Sequence, residues 1–367
     1  MSLLTVRASL ALLFDRGDFD DDTITFIRPS KATQYNAEGR LIEVAENTPR
    51  LDYDSVTGEL LGILVEESRT NLVDLSYTDT PPTPPPNGYH NGDAFYSESF
   101  TALEVSGLSG SYYVRAWAFI PSTYDYTRVE FRVDGDTDKF IAFDDSKRNE
   151  WQLVEGLIES VTSRIEIKSK GSGTNNNYYL AGVQVEQGSF PTSYIPTAGS
   201  IVTRSADNAS VIGDGFTDFY NPEESTFLIN AKLPEYKQRS VLFEISEGSI
   251  ATRIQLRHTA IDTLDFLTRS EGDSNQIFNV TNSSTDGSTF IIAITIKPNE
   301  IKVCVNGGAV QTVNRNIATD LFSEISIGYA SSTSDEHFNS KAGSCVSFPK
   351  ALNDADLQIL TSELDLT

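Results

Sequence analysis

The chain has 367 residues, 39% hydrophobic and 22% charged, with 24 Gly and 14 Pro, the balance of a folded globular protein rather than a fibrous or disordered one. Its 28 basic against 52 acidic side chains give a net charge of −24; this excludes a nucleic-acid partner held through phosphates and disfavours anionic membranes, since both need clustered Lys and Arg. Only two cysteines occur, Cys304 and Cys345, which excludes a disulfide-built scaffold and a four-cysteine zinc site and leaves room for one bridge.

The run from Ala8 to Phe14 passes straight into Asp15, Arg16 and Asp18 with no small-residue cleavage pattern, so it reads as an opening β-strand rather than a signal peptide. Asp15, Asp18, Asp20, Asp21 and Asp22 then form an acidic cluster, read as a solvated loop or as a docking surface for a basic partner. Arg28, Arg50 and Arg69 stand among Glu43, Glu66 and Glu67, and the planar guanidinium fork suits them to buried ion pairs. Thr78 to Gly92 carries Pro81, Pro82, Pro84, Pro85 and Pro86. Proline lacks the donor that a central strand needs, so this stretch is a stiff connector or a long surface loop.

From there period-two alternation dominates. Val129, Phe131 and Val133 alternate with Arg128, Glu130 and Arg132; Ile165 and Ile167 with Arg164, Glu166 and Lys168; Ile254 and Leu256 with Arg253, Gln255 and Arg257. Each such strand is expected to have one buried and one wet face, as in antiparallel sandwiches. Pro191 to Ala206 is the main predicted boundary, and Gly213 to Ser225 leads into the last block. Asn353 is a good cap for a short helix with Leu357 and Leu360 on one face. No apolar run approaches the ~20 residues of a membrane span, so no membrane insertion is expected. The expected fold is all-β: an N-terminal module over 1–75, a jelly-roll sandwich over 76–197, and a second sandwich over 207–367 ending in one short helix. Through Ser225-Thr226-Phe227, Val305-Asn306-Gly307-Gly308 and Ala351-Leu352-Asn353-Asp354-Ala355 that last block resembles a concanavalin- or laminin-G-like jelly roll.

Three stretches carry a resemblance. They are Thr25-Phe26-Ile27-Arg28-Pro29-Ser30, Asn47-Thr48-Pro49-Arg50-Leu51-Asp52-Tyr53, and Gly62-Ile63-Leu64-Val65-Glu66-Glu67-Ser68-Arg69-Thr70-Asn71-Leu72. A fourth, Ala181-Gly182-Val183-Gln184-Val185-Glu186-Gln187-Gly188-Ser189-Phe190-Pro191-Thr192, continues to Thr197. Over residues 10–75 and 178–207 the chain resembles a family of tailed-bacteriophage virion proteins. The resemblance implies a non-enzymatic structural protein on the virion surface, in a tail fibre or appendage that recognises host-surface polysaccharide. The alternative is a head decoration protein that clamps capsomers and binds no sugar. Partners would be other capsid or tail proteins. Homo-oligomerisation is expected, a trimer favoured, because appendages sit on symmetry axes and weak sugar sites gain avidity by repetition. Attachment is expected through 1–75 and display through 207–367, with the turn-rich loops Ser270 to Asn275 and Asn282 to Ser288 as recognition elements.

Sugar-binding sandwiches pair an exposed aromatic ring, which stacks on a pyranose, with polar groups that bond its hydroxyls. Tyr113, Arg115 and Trp117 share one strand face and Arg128, Glu130 and Arg132 another, so these six are the candidate carbohydrate contacts. The competing reading puts Trp117 in the core and makes the charged row a solvated face. Asp134, Asp136 and Asp138 alternate like the start of a calcium loop, which makes Ca2+ the candidate cofactor. Lys139 stands where an EF-hand needs glycine, so the competing reading is an Asp-rich hairpin turn. A glycan-degrading enzyme would need a carboxylate pair. The sequence holds no ExDxxE triplet and no GxSxG, HExxH or GxxxxGK[ST] motif; Glu130 and Glu166 are the remaining pair to test.

Overall fold

The computed structural model describes residues 7–20, 22–99, 101–136, 138–234, 239–260, 263–280, 288–333 and 336–362. It is an all-β chain of two compact units, one built from Met1–Pro29, Glu46–Glu67 and Ala206–Thr367, the other from Ser30–Ala45 and Ser68–Ser205. The sequence boundary at Pro191–Ala206 contains one passage between them, at 205–206.

The first unit is a sandwich of two antiparallel sheets. Its eight-stranded sheet runs Gln311–Asn314, Glu300–Val305, Thr289–Lys297, Ser225–Lys232, Ser340–Phe348, Leu60–Val65, Leu51–Tyr53, and Leu10–Leu13 also pairs with Ser340–Phe348. The seven-stranded sheet runs Thr25–Ile27, Asn208–Ile212, Glu324–Ile327, Ser240–Ser246, Arg253–Ala260, Thr263–Arg269, Gln276–Val280. Between them lies a core including Phe227, Phe243, Phe266, Ile292 and Ile325. On the outer face of the larger sheet the helix Asp354–Ser362 buries Leu357 and Leu360 against Leu228 and Cys304, and Asn353 Oδ1 caps it by accepting from the backbone N–H of Asp356 at 3.0 Å. Cys345 belongs to the inter-sheet core and Cys304 to the helix side. Both are free thiols, which corrects the open option of a bridge: the sheet itself separates them.

This arrangement also corrects the separate module over 1–75. Leu10–Leu13 and Leu60–Val65 are ladder partners of Ser340–Phe348, and Thr25–Ile27 pairs with Asn208–Ile212, while Ala32–Tyr35, Leu41–Val44 and Arg69–Asn71 fall in the other unit. A stretch of about 75 residues is marginal for a core of its own, and its open ladder edges find partners elsewhere in the chain.

A buried charge cluster fixes the points where the chain leaves and re-enters this unit. Arg28 Nη1 meets Asp207 Oδ1 at 3.0 Å, Arg50 Nη2 meets Glu66 Oε2 at 2.8 Å and also bonds Asp207 Oδ2, and Asp207 accepts from the Glu66 backbone N–H at 3.0 Å. Burial works against the Arg50 charge, but Asp207 and Glu66 together carry its pKa well above the ordinary value. The sequence expectation of buried ion pairs holds for Arg28, Arg50 and Glu66. Glu43 instead pairs with Lys31 on the surface, Glu67 accepts from Asn339, and Arg69 bonds the Gln187 carbonyl and lies over the Phe190 ring.

The second unit is a smaller sandwich. One four-stranded sheet runs Trp151–Val161, Gly110–Phe119, Tyr178–Gln187, Phe95–Ser97; the other runs Phe140–Ala142, Arg128–Val133, Arg164–Lys170, Thr101–Ser106. Val114, Ala116, Phe131, Ile167 and Leu180 fill the space between. The proline-rich stretch is a surface loop of this unit: it is tied by an Asp79–Ala94 bridge and ends in the 3-10 turn Pro86–Gly92, whose Tyr89 is fully buried.

Candidate functional site

Tyr113, Arg115 and Trp117 do share one face of Gly110–Phe119, the face turned away from the sandwich core, and all three are half-buried. They are partly covered from above. Tyr89 packs on Trp117 at 6.4 Å and lies 5.8 Å from the Arg115 guanidinium, and Tyr194 packs on Tyr89 at 5.0 Å. Gly182 makes this cover possible: its φ of +57° places a bulge beneath Tyr89, where a Cβ would come within 2.7 Å of the ring. Beside it Glu186 accepts from the Thr192 backbone at 2.8 Å and from its hydroxyl at 2.7 Å. Burial pushes the Glu186 carboxyl above its ordinary value, against those hydrogen bonds and Arg69.

One row further along the same face, four aromatic rings stand in register across the whole sheet. Trp151 is opposite Phe119, Phe119 opposite Tyr179, and Tyr179 opposite Tyr96. Ring centroids are 5.8, 6.2 and 4.7 Å apart. Phe119 is buried beneath its neighbours, while Trp151, Tyr179 and Tyr96 are half-exposed. Trp151 Nε1 donates to the Thr83 carbonyl at 2.9 Å, which anchors the ring from the proline-rich loop. Asp79 accepts from the Tyr96 N–H at 3.1 Å. Burial, then the Tyr96 phenol and the Asp79 carboxylate, raise the Tyr179 phenol above its ordinary value. Four adjacent strands set the row's length at about 14 Å. Sequence reading missed this site because its members sit on four strands and only register unites them; Tyr178-Tyr179 and Phe95-Tyr96 were the available signals.

The charged row is a self-paired face. Glu130 is 1% exposed and pairs with Arg128 at 2.8 Å and Arg132 at 3.3 Å, and Arg128 lies 4.5 Å over the Phe140 ring. Across the ladder Glu166 meets Lys168 at 2.6 Å and Arg164 at 3.4 Å. Glu130 and Glu166 are thus each flanked by two cations rather than facing one another as an acid and a base. In the acidic loop Asp134 pairs with Arg164 at 2.7 Å, and Asp136 accepts from the backbone N–H of Asp138 and Lys139 at 2.9 and 3.3 Å, the pattern of an Asx turn; Thr137 lies outside the described residues. Among the described residues no group of three His, Cys, Asp or Glu side chains is placed to hold a metal ion. Of the N-terminal acidic cluster, Asp15 accepts from Asn230 at 3.1 Å and Asp20 caps Asp22 and Thr23; Asp21 lies outside the described residues, as do residues 282–287 of the expected recognition loop.

The first unit also departs from the expected wet face. Arg253, Gln255 and Arg257 are buried. Arg257 forms a two-pronged pair with Asp265 at 2.6 and 2.8 Å. Glu244 accepts from Gln255, from the Ser331 hydroxyl, and from both the backbone and hydroxyl of Ser332. Ser332 in turn accepts from Arg253 at 2.8 Å. These groups bond one another beneath the Ser331–Ser332 loop, while Arg253 Nε and Gln255 Oε1 are buried without a hydrogen-bond partner. In the second unit, a recess of about 130 Å³ lined by Lys31, Glu43, Ile195 and Arg204 is well below the roughly 300 Å³ at which ligand pockets begin. The aromatic row, with Trp151, Tyr179 and Tyr96 half-exposed, is the candidate recognition surface.

No family model and no curated protein matches the chain. Among solved structures it is similar to the CBM40 module of Ruminococcus gnavus IT-sialidase, at 15% identity and a TM-score of 0.35 over 41% of this chain and 88% of that one. The leech intramolecular trans-sialidase gives 14% identity and 0.36 over 41% and 25%. The binding domain of botulinum neurotoxin DC, solved with rat synaptotagmin II, gives 16% and 0.34 over 44% and 41%.

Proposed function

We propose that this chain is a non-catalytic, glycan-binding structural protein displayed on the surface of a tailed-phage virion, where it meets host-surface polysaccharide. The observation that carries the glycan reading is the in-register row Trp151, Phe119, Tyr179 and Tyr96. Aromatic side chains left half-exposed on a sheet, with a carboxylate at their margin, offer an extended saccharide both apolar contacts, from rings tilted 39–75° to their neighbours, and a hydroxyl acceptor. The virion placement is supported by the sequence resemblance over residues 10–75 and 178–207. An open row of about 14 Å suits an internal run of sugars better than a single terminal one.

Isothermal titration against phage-host polysaccharide fragments of increasing length tests this. Affinity should rise with length, and Trp151→Ala and Tyr179→Ala should each weaken it about tenfold or more, the worth of a lost aromatic contact, with unchanged circular dichroism. Binding that survives both substitutions intact would overturn the assignment. Immunogold labelling of particles tests the location, with label on tails expected.

A further inference from the structure

The same row also indicates which sugars it takes; the inference rests on the glycan reading above and goes beyond it. We propose that Asp79 makes the aromatic row selective for neutral saccharides, accepting hydroxyls from hexose units and repelling sugar acids. Three observations support this. First, Asp79 is held in place rather than waving from a loop: its backbone exchanges two hydrogen bonds with Ala94, both at 2.8 Å, and its Oδ2 accepts from the Tyr96 N–H at 3.1 Å. Second, it is half-exposed and stands beside the most tightly packed pair of the row, Tyr96 and Tyr179 at 4.7 Å. Third, the unit that carries the row, Ser30–Ala45 and Ser68–Ser205, holds 13 basic against 19 acidic side chains, so its net charge has the same sign as the local carboxylate.

A carboxylate fixed at the margin of an aromatic surface accepts from the vicinal hydroxyls of a stacked pyranose, and these charge-assisted bonds are stronger than neutral ones. A uronate or sialate at the same position places like charges together, which is the usual basis of electrostatic rejection. The rings supply affinity for any pyranose face; Asp79 supplies the discrimination.

The test measures binding of the 367-residue chain to matched immobilised tetrasaccharides, neutral hexose oligomers against uronate-containing and sialylated ones of equal length. The chain should prefer the neutral oligomers by about tenfold. That preference should shrink as ionic strength rises from ~0.01 to 1 M, because the screening length falls from about 30 to 3 Å. Asp79→Asn keeps an acceptor for the Tyr96 N–H and so preserves the local fold; it should cut the preference to about threefold or less, by gaining acidic ligands and losing neutral ones. Equal binding of acidic and neutral oligomers, a preference that ignores salt, or one unchanged in Asp79→Asn overturns the proposal while leaving the row as a binding surface. Loss of no binding in Trp151→Ala, or silence toward every oligomer, removes the site itself and the proposal with it.

Discussion

Asp207 is fully buried and shared by two equally buried arginines, Arg28 and Arg50, with Glu66 as the second acid. The four formal charges cancel, and that balance is what allows them to lie out of water. Asp207→Asn leaves one uncompensated guanidinium charge in the interior, which costs about 3–5 kcal/mol. The urea midpoint should fall accordingly with the slope unchanged; a loss below about 1 kcal/mol would mean that water reaches the cluster. The cluster was half legible in the sequence. Arg28, Arg50 and Glu66 lie within 39 residues of one another, whereas Asp207 is 157 residues from Arg50, and no local spacing announces a partner so distant.

At the scale of strands, alternation gave the faces but not what covers them. Val129, Phe131 and Val133 point inward as their period demands. The opposite faces had different fates: Arg128, Glu130 and Arg132 pair among themselves, while Arg253, Gln255 and Arg257 lie buried in a polar network that includes the Ser331–Ser332 loop. Period two cannot tell these cases apart, because cover comes from segments far along the chain. The aromatic row was illegible for a related reason, since register between strands is set by turns and bulges rather than by composition. Gly182 is one such bulge, and it seats Tyr89 over Trp117. Gly182→Ala forces a side chain into both a left-handed backbone and the Tyr89 ring, so it should destabilise by about 2–4 kcal/mol. Tryptophan fluorescence should also change as the Tyr89 cover lifts from Trp117. A variant with wild-type stability and emission would show that Tyr89 is not seated by that glycine.

For the whole chain, all-β class, two antiparallel sandwiches and the capped C-terminal helix were readable from pattern, but the partition of the first 75 residues was not. Segment order along the chain suggests modules in series, whereas ladder pairing is blind to sequence distance. Leu10, Leu12, Phe14, Ile24, Phe26, Ile63 and Val65 all lie in the same core cluster as Phe227, Phe243 and Ile292. At roughly 2 kcal/mol for each fully buried side chain, removing these seven takes away about as much as the ~5–15 kcal/mol net stability of a domain. It also strips Ser340–Phe348 of two ladder neighbours and Asn208–Ile212 of one, exposing edges that favour aggregation. A chain starting at residue 76 should therefore lack a cooperative unfolding transition for residues 206–367 and precipitate on expression, as followed by near-ultraviolet circular dichroism and urea titration. A soluble product that unfolds cooperatively would restore the first 75 residues to the status of a separable attachment module. Failure to fold would mean that any virion contact they make is made by strands of the sandwich itself.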